Sequence, residues 1–241
     1  MSFAEGATIA TSDETHVRAL VADVPTRAFM DNIRHELLTR LIDFLAPSKM
    51  MGNTSIRLQC TIGTSYRFGN TTFAAVSWEK APMLAHLSKL IGDHYGVQFD
   101  MAHINFYPDQ DGPKQAKLCW HADDEKIIDQ NAPIVGISFG ENMRVCFKEN
   151  DNKATTDHIA HDLDIYTMSA GFQSKFQHRV APLTKVQRID HPFDCQFEGL
   201  RMSITLRVLK VKERHPESFV GLLIFISNEI PNWSQVRTRL F

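Results

Sequence analysis

The chain has 241 residues and a formal net charge of −2. Hydrophobic residues at 43% and charged residues at 22% are the proportions of a soluble globular protein, either one large domain or one with extensions. The near-zero charge excludes a global basic field that would draw the chain to nucleic acid or anionic membrane, so a nucleic-acid substrate would need a local basic patch.

Cys60, Cys119, Cys146 and Cys195 are scattered with no C-x-x-C pair, which argues against zinc ribbons and thioredoxin-like chemistry. They read as reduced thiols of an intracellular protein, cytoplasmic or nuclear. The sequons at Asn53 and Asn70 read, in the absence of a signal peptide, as chance matches. The longest apolar run, residues 219–226, is too short to span a bilayer and contains a glycine, so no membrane partner is expected.

In chain order, residues 1–12 are small and polar and read as a flexible N-terminal tail. Residues 27–45 place Phe29, Ile33, Leu37, Leu41 and Phe44 at helical spacing, with Asp23 or Thr26 as cap and Pro47 as terminator. Residues 53–73 read as short strands with Gly69-Asn70 as a turn. Helical spacing returns over residues 82–95, with Gly96 where a C-cap would sit. Strands are predicted over 99–107, 116–121, 133–140, 143–148, 161–168, 175–180 and 200–211, with turns at 108–113 and 151–153. In the strand over 161–168, Leu163 and Ile165 would share one face. Residues 185–199 read as a projecting hairpin or loop, 219–226 as a further strand or short helix, and 233–241 as a basic tail. Many short strands after two helices imply a mainly β protein with flanking helices, a sandwich or barrel.

Three pieces of this pattern carry chemistry. His121 and Asp123 stand two apart, so an extended backbone projects both from one face. A second histidine from another strand would complete two imidazoles and one carboxylate on one side of a metal, a set that leaves open positions and suits non-haem Fe(II) oxygenases. A lone H-x-D also arises by chance, and His158, His161 and His191 compete with His178 for the distal place. Residues 201–207 sharpen the reading. Arg201, Ser203, Thr205 and Arg207 share one strand face, with Met202, Ile204 and Leu206 on the other. An exposed strand alternates in the same way, but two arginines on one face also suit a dicarboxylate or nucleotide, each guanidinium offering two parallel N–H donors.

Asn105-Phe106-Tyr107, then His121-Ala122-Asp123-Asp124-Glu125, then residues 134–140 (I-V-G-I-S-F-G), His178, and Arg201-x-Ser203-x-Thr205-x-Arg207 together resemble, in order and spacing, the AlkB family of Fe(II)/2-oxoglutarate dioxygenases. The resemblance covers about residues 101–208. It implies a double-stranded β-helix (jelly roll) over residues 13–211, core 99–211, followed by a C-terminal extension over 212–241. It implies Fe(II) held by His121, Asp123 and His178, and 2-oxoglutarate held by Asn105, Tyr107, Arg201, Ser203 and Arg207. Asp124 or Glu125 would face the substrate. The implied activity is oxidative demethylation of N-alkylated bases such as 1-methyladenine and 3-methylcytosine in DNA or RNA, with dioxygen as co-reactant and the protein acting as a monomer. Arg57, Arg67, Lys185, Arg188, Arg237 and Arg239 are candidate phosphate contacts. The chain departs from the family in having Ile56-Arg57 and Ile62-Gly63 where relatives carry Pro-Arg and Tyr-Gly, and in a longer His178-to-Arg201 segment. Those departures bear on the substrate more than on the metal chemistry. The rival readings are a 2-oxoglutarate oxygenase acting on protein or lipid, and a non-catalytic jelly-roll binding module.

Overall fold

The computed structural model of the chain describes residues 1–12, 14–50, 53–68, 70–107, 118–192 and 200–210, without side chains for 48–50 and 53–56. Two strands come first, β1 (Phe3–Ser12) and β2 (Thr15–Ala22), then helix α1 (Val24–Arg40) and a 3-10 turn over Ile42–Phe44. Next are β3 (Ala46–Met50), β4 (Asn53–Ile62), β5 (Tyr66–Phe68), β6 (Thr71–Phe73) and β7 (Ala75–Val76), then helix α2 (Pro82–Tyr95). Strands β8 (Met101–Tyr107), β9 (Leu118–His121), β10 (Ile134–Gly140), β11 (Met143–Glu149), β12 (Thr155–Ala160) and β13 (Ile165–Met168) follow. The last elements are α3 (Phe172–Lys175), β14 (Phe176–Ala181), α4 (Lys185–Asp190) and β15 (Arg201–Arg207).

The helices form where their end signals stand. Asp23 caps α1 by accepting from the Thr26 N–H at 2.8 Å, and Gly96 ends α2 at φ 66°, a left-handed conformation glycine adopts without strain. Both helices bury one face: Met30, Ile33 and Leu37 from α1, and Leu84, Leu87 and Ile91 from α2.

That face lies on a nine-stranded sheet ordered β1-β2-β13-β10-β15-β8-β4-β3, with β7 beside β4. Period-two alternation sorts its residues. Ile104, Phe106, Met202, Ile204, Leu206, Val135 and Ile137 point to the helices and fill one core. The opposite face meets a four-stranded sheet, β12-β11-β14-β9, around a second core containing Met101, Ile134, Val145, Phe147 and Phe176. Two sheets closed on each other with antiparallel neighbours make the double-stranded β-helix expected from sequence, and the site lies between them.

The structure corrects several expectations. Phe3–Ser12 is not a tail: it is β1, paired with β2, which extends the large sheet through β13. The strand expected over 161–168 is interrupted at Leu163, whose φ is 65°, so the chain turns there. Only its second half, β13, is a strand; β12, which precedes the expected range, had no counterpart among the strands expected from sequence. Residues 185–190 are helix α4 rather than hairpin, started by a capping box of Thr184 and Gln187. The turn expected at 108–113, residues 193–199 of the expected hairpin or loop, and the readings of 219–226 and 233–241 lie outside the described residues.

Candidate metal centre and cosubstrate cleft

The floor of the site is built by register. In the large sheet, β15 pairs Arg201 with Tyr107, Ser203 with Asn105 and Thr205 with His103 on β8. Because β8 and β15 are antiparallel and in register, these residues share one face. In the small sheet, β14 pairs His178 with His121 on β9. Each histidine therefore projects inward, opposite the arginine strand.

His121 and His178 stand with ring centroids 4.1 Å apart. The potential ligand atoms of His121, Asp123 and His178 all lie within 4.8 Å of one another, and among the described residues this is the one such group. His121 Nδ1 lies 2.8 Å from the Cys119 carbonyl oxygen. A carbonyl only accepts, so Nδ1 carries the proton and Nε2 keeps the lone pair a metal needs. Asp123 is held by its backbone. Its N–H donates to Gln173 Oε1 at 3.0 Å, and its carbonyl accepts from Gln130 Nε2 at 2.9 Å.

Charge is arranged around this cluster. Asp123 is 2% exposed and its Oδ2 meets an Arg207 Nη2 at 2.7 Å. Burial alone would raise the Asp123 carboxyl; Arg207 and the neighbouring imidazoles overrule it and hold the group well below the usual carboxylate range. For His178, burial and then the neighbouring His121 imidazole push the pKa down to about 3, so its ring is neutral at physiological pH. A carboxylate and a neutral imidazole are the protonation states that bind a metal cation.

The cleft beside the cluster holds about 400 Å³ of open volume, solvent included. Asn105, Tyr107, Ser203 and Arg207 line it, as do His121, Asp123 and His178. Arg201 is 1% exposed, with its guanidinium carbon 5.2 Å from the centre of the Tyr107 ring. Its Nε and Nη1, the Nε and Nη1 of Arg207 and the Tyr107 hydroxyl are buried without hydrogen-bond partners. Buried guanidinium donors left unpaired are costly, and a dicarboxylate would satisfy them. The donor set thus fits both a divalent iron and an organic diacid.

Several residues here were not singled out from sequence. Gln59 Nε2 donates to Asn105 Oδ1 at 3.0 Å and to His103 Nε2 at 2.8 Å, which leaves the Asn105 side-chain N–H2 available. His103 is wholly buried against the Tyr66 ring, 5.0 Å between centroids, and burial holds its pKa well below the ordinary histidine value. Tyr66 lies under the Arg207 guanidinium at 5.0 Å and donates to Glu125. Tyr166 also lines the cleft. A lone Tyr, His or Gln carries no spacing signal, so only the fold reveals them. Of the candidate substrate residues, Glu125 is half-buried on Tyr66 and Asp124 is exposed. Of the candidate phosphate contacts, Arg57 is no surface residue: it is 2% exposed, 5.1 Å over the Phe68 ring. Arg67 and Lys185 are exposed, Arg188 reaches Glu141 at 3.4 Å, and Arg237 and Arg239 lie outside the described residues.

Among the described residues no helix is long and apolar enough to cross a membrane. The solved structure of OsALKBH1 is similar at a TM-score of 0.47 and 13% identity, covering 75% of this chain and 92% of that one. No curated protein matches the chain. The family described as the 2OG-Fe(II) oxygenase superfamily matches residues 40–207. That match spans well over half of the sequence and takes in the His-Asp-His cluster and both buried arginines, so the chain belongs to the 2OG-Fe(II) oxygenase superfamily and takes Fe(II) and 2-oxoglutarate as cofactors.

Proposed function

We propose that this dioxygenase demethylates N-alkylated bases, of the 1-methyladenine and 3-methylcytosine type, in DNA or RNA, as a nucleic-acid repair activity. The observation that carries the reading is a cleft lined by a metal-ligand cluster within 4.8 Å and by Arg207, with Arg201 buried against the cleft-lining Tyr107 and unpaired donors on both guanidiniums. His121, Asp123 and His178 would hold the iron. Arg201 would take the distal carboxylate of 2-oxoglutarate, supported by Tyr107, Asn105 and Ser203. Arg207 would serve the metal-bound end while keeping Asp123 ionised and oriented. When bound, iron and 2-oxoglutarate supply the oxidising power that converts a methyl C–H to C–OH with dioxygen, releasing succinate and carbon dioxide. An N-hydroxymethyl base then loses formaldehyde.

The protein's own part is to bind, orient and keep water out. A base must leave its stack to reach a centre this deep. Aromatic rings gather at the β5–β6 end of the cleft: Phe68 lines it, and Tyr66 and Phe73 pack around His103. Aromatic faces accept any base by stacking, which supports a nucleic-acid substrate over a peptide or lipid. Glu125 would face the base from its place on Tyr66, with Asp124 exposed beside it.

The test is succinate and formaldehyde release with oligonucleotides carrying 1-methyladenine or 3-methylcytosine, single- and double-stranded, DNA and RNA, beside N-methylated peptides. Turnover stimulated by the oligonucleotides is expected. Stimulation by peptides alone would transfer the assignment to a protein substrate.

A further inference from the structure

The large sheet carries an exchange of bulk that the cosubstrate assignment above does not use. Gly136 on β10 faces Tyr166 on β13 in register. A Cβ on residue 136 would stand 2.3 Å from Tyr166 Cζ and 2.6 Å from its Oη, so the absence of a side chain there lets the phenol lie across β10. The ring is 8% exposed and lines the cleft with Asn105, Tyr107 and Ser203. Its flanks are closed by edge contacts with Phe147, at 6.3 Å, and His158, at 6.0 Å.

We propose that Tyr166 is a second cosubstrate-binding phenol, which with Tyr107 and Arg201 cradles the distal carboxylate of the bound diacid and limits the diacid's length. Two strands, β13 and β8, supply one hydroxyl each from opposite sides of β15. The electrostatics agree: burial lowers the Arg201 pKa, and Tyr107 and Tyr166 are the groups that push it back up. Burial likewise raises Tyr166 to about 12, with Arg201 the first group to oppose it, so the phenol stays protonated and can donate to a carboxylate. The inference rests on the 2-oxoglutarate site described above. It adds a residue that the sequence placed only within the expected strand over 161–168.

The test is equilibrium binding, by calorimetry on the full chain loaded with Mn(II) in place of iron, so that no turnover occurs. Titrants are 2-oxoglutarate, its one-carbon-longer homologue 2-oxoadipate, and oxalate, which binds a metal but lacks the distal arm. Tyr166→Phe keeps the ring and removes only the hydroxyl. It should weaken 2-oxoglutarate roughly tenfold, the loss expected of one hydrogen bond to a charged group, and leave oxalate and Mn(II) unchanged. Tyr166→Val should admit 2-oxoadipate, and Gly136→Ala, which drives the ring aside, should weaken 2-oxoglutarate as Tyr166→Phe does. Unchanged or tighter 2-oxoglutarate binding by Tyr166→Phe, or equal weakening of oxalate, would overturn the assignment of Tyr166. Failure of the wild-type protein to bind 2-oxoglutarate at all would overturn the cosubstrate site itself.

Discussion

Asp123 divides its carboxylate between two partners, Arg207 at 2.7 Å and His121 at 3.7 Å. The Arg207 pair is almost fully buried, at 4% and 2% side-chain exposure. Asp123→Ala would strand that guanidinium, and breaking a buried pair from one side costs roughly 3–5 kcal/mol. His121 is 19% exposed in its side chain and its ring makes one bond, to the Cys119 carbonyl, so His121→Ala should cost about 1 kcal/mol. Both variants should lose Mn(II) binding, but urea denaturation of the metal-free proteins should separate them sharply. Equal midpoints would mean that Arg207 does not depend on Asp123. Arg201→Gln leaves the metal ligands intact. It should weaken 2-oxoglutarate about 100-fold, as loss of a bidentate charged contact implies, without changing Mn(II) affinity. His121, Asp123 and the two arginines were legible because they sit in spaced signatures, two apart in H-x-D and six apart on one strand; His178 has no such spacing and was singled out only by the family resemblance. Tyr66, His103, Gln173 and Tyr166 were not, because each reaches the site from a separate element.

At the scale of elements, α2 has an unusual start. Ala81 offers no side-chain cap, and Glu36 from the middle of α1 takes its place. Its carboxylate accepts from the N–H groups of Met83 and Leu84 at 3.1 Å. Loss of a cap costs about 1 kcal/mol, so Glu36→Ala should lower the denaturation midpoint while leaving the metal site intact. Burial raises the Glu36 pKa above 4.5, with the two backbone N–H bonds opposing. A raised folded-state value means the native state holds the proton more tightly than the unfolded chain. Its contribution is therefore full below pH 4.5 and falls as pH rises through the folded value. Glu36→Gln should accordingly gain on the wild type between pH 4.5 and neutrality; a constant gap across that range would remove the argument. Helices α1 and α2 were legible from their apolar spacing, but this cap was not, since it joins residues 47 apart. Strand β12 was missed because Thr155-Thr156-Asp157-His158 is polar on both faces; three of its first residues are exposed, so no alternation marks it. Strand β1 was missed for the same reason: it is an edge strand of small residues, irregular between Glu5 and Ala10.

Across the whole molecule, the site draws on both sheets. His121 and His178 come from the four-stranded sheet, Arg201 and Arg207 from β15 in the centre of the nine-stranded one. That β15 and residues 134–140 are strands was legible, from alternation in one and an apolar run in the other; their pairing was not, nor how far the large sheet extends through β13, β2 and β1. A ligand bridging the two sheets binds only the folded chain, so it should stabilise the chain by mass action. At 100 times its dissociation constant such a ligand adds about 2.7 kcal/mol, which for a chain of this size raises Tm by roughly 5–10 °C. Mn(II) alone should give part of that shift to EDTA-treated protein, and 2-oxoglutarate should add to it only when metal is present. The order follows from the proposed arrangement: the metal would tie β9 to β14 within the small sheet, whereas a diacid held at one end by metal and at the other by Arg201 would tie that sheet to β15. Arg201→Gln should therefore keep the metal shift and lose the 2-oxoglutarate increment, and His121→Ala should lose both. A full 2-oxoglutarate increment in the Arg201 variant would place the diacid elsewhere and break the proposed link between the sheets.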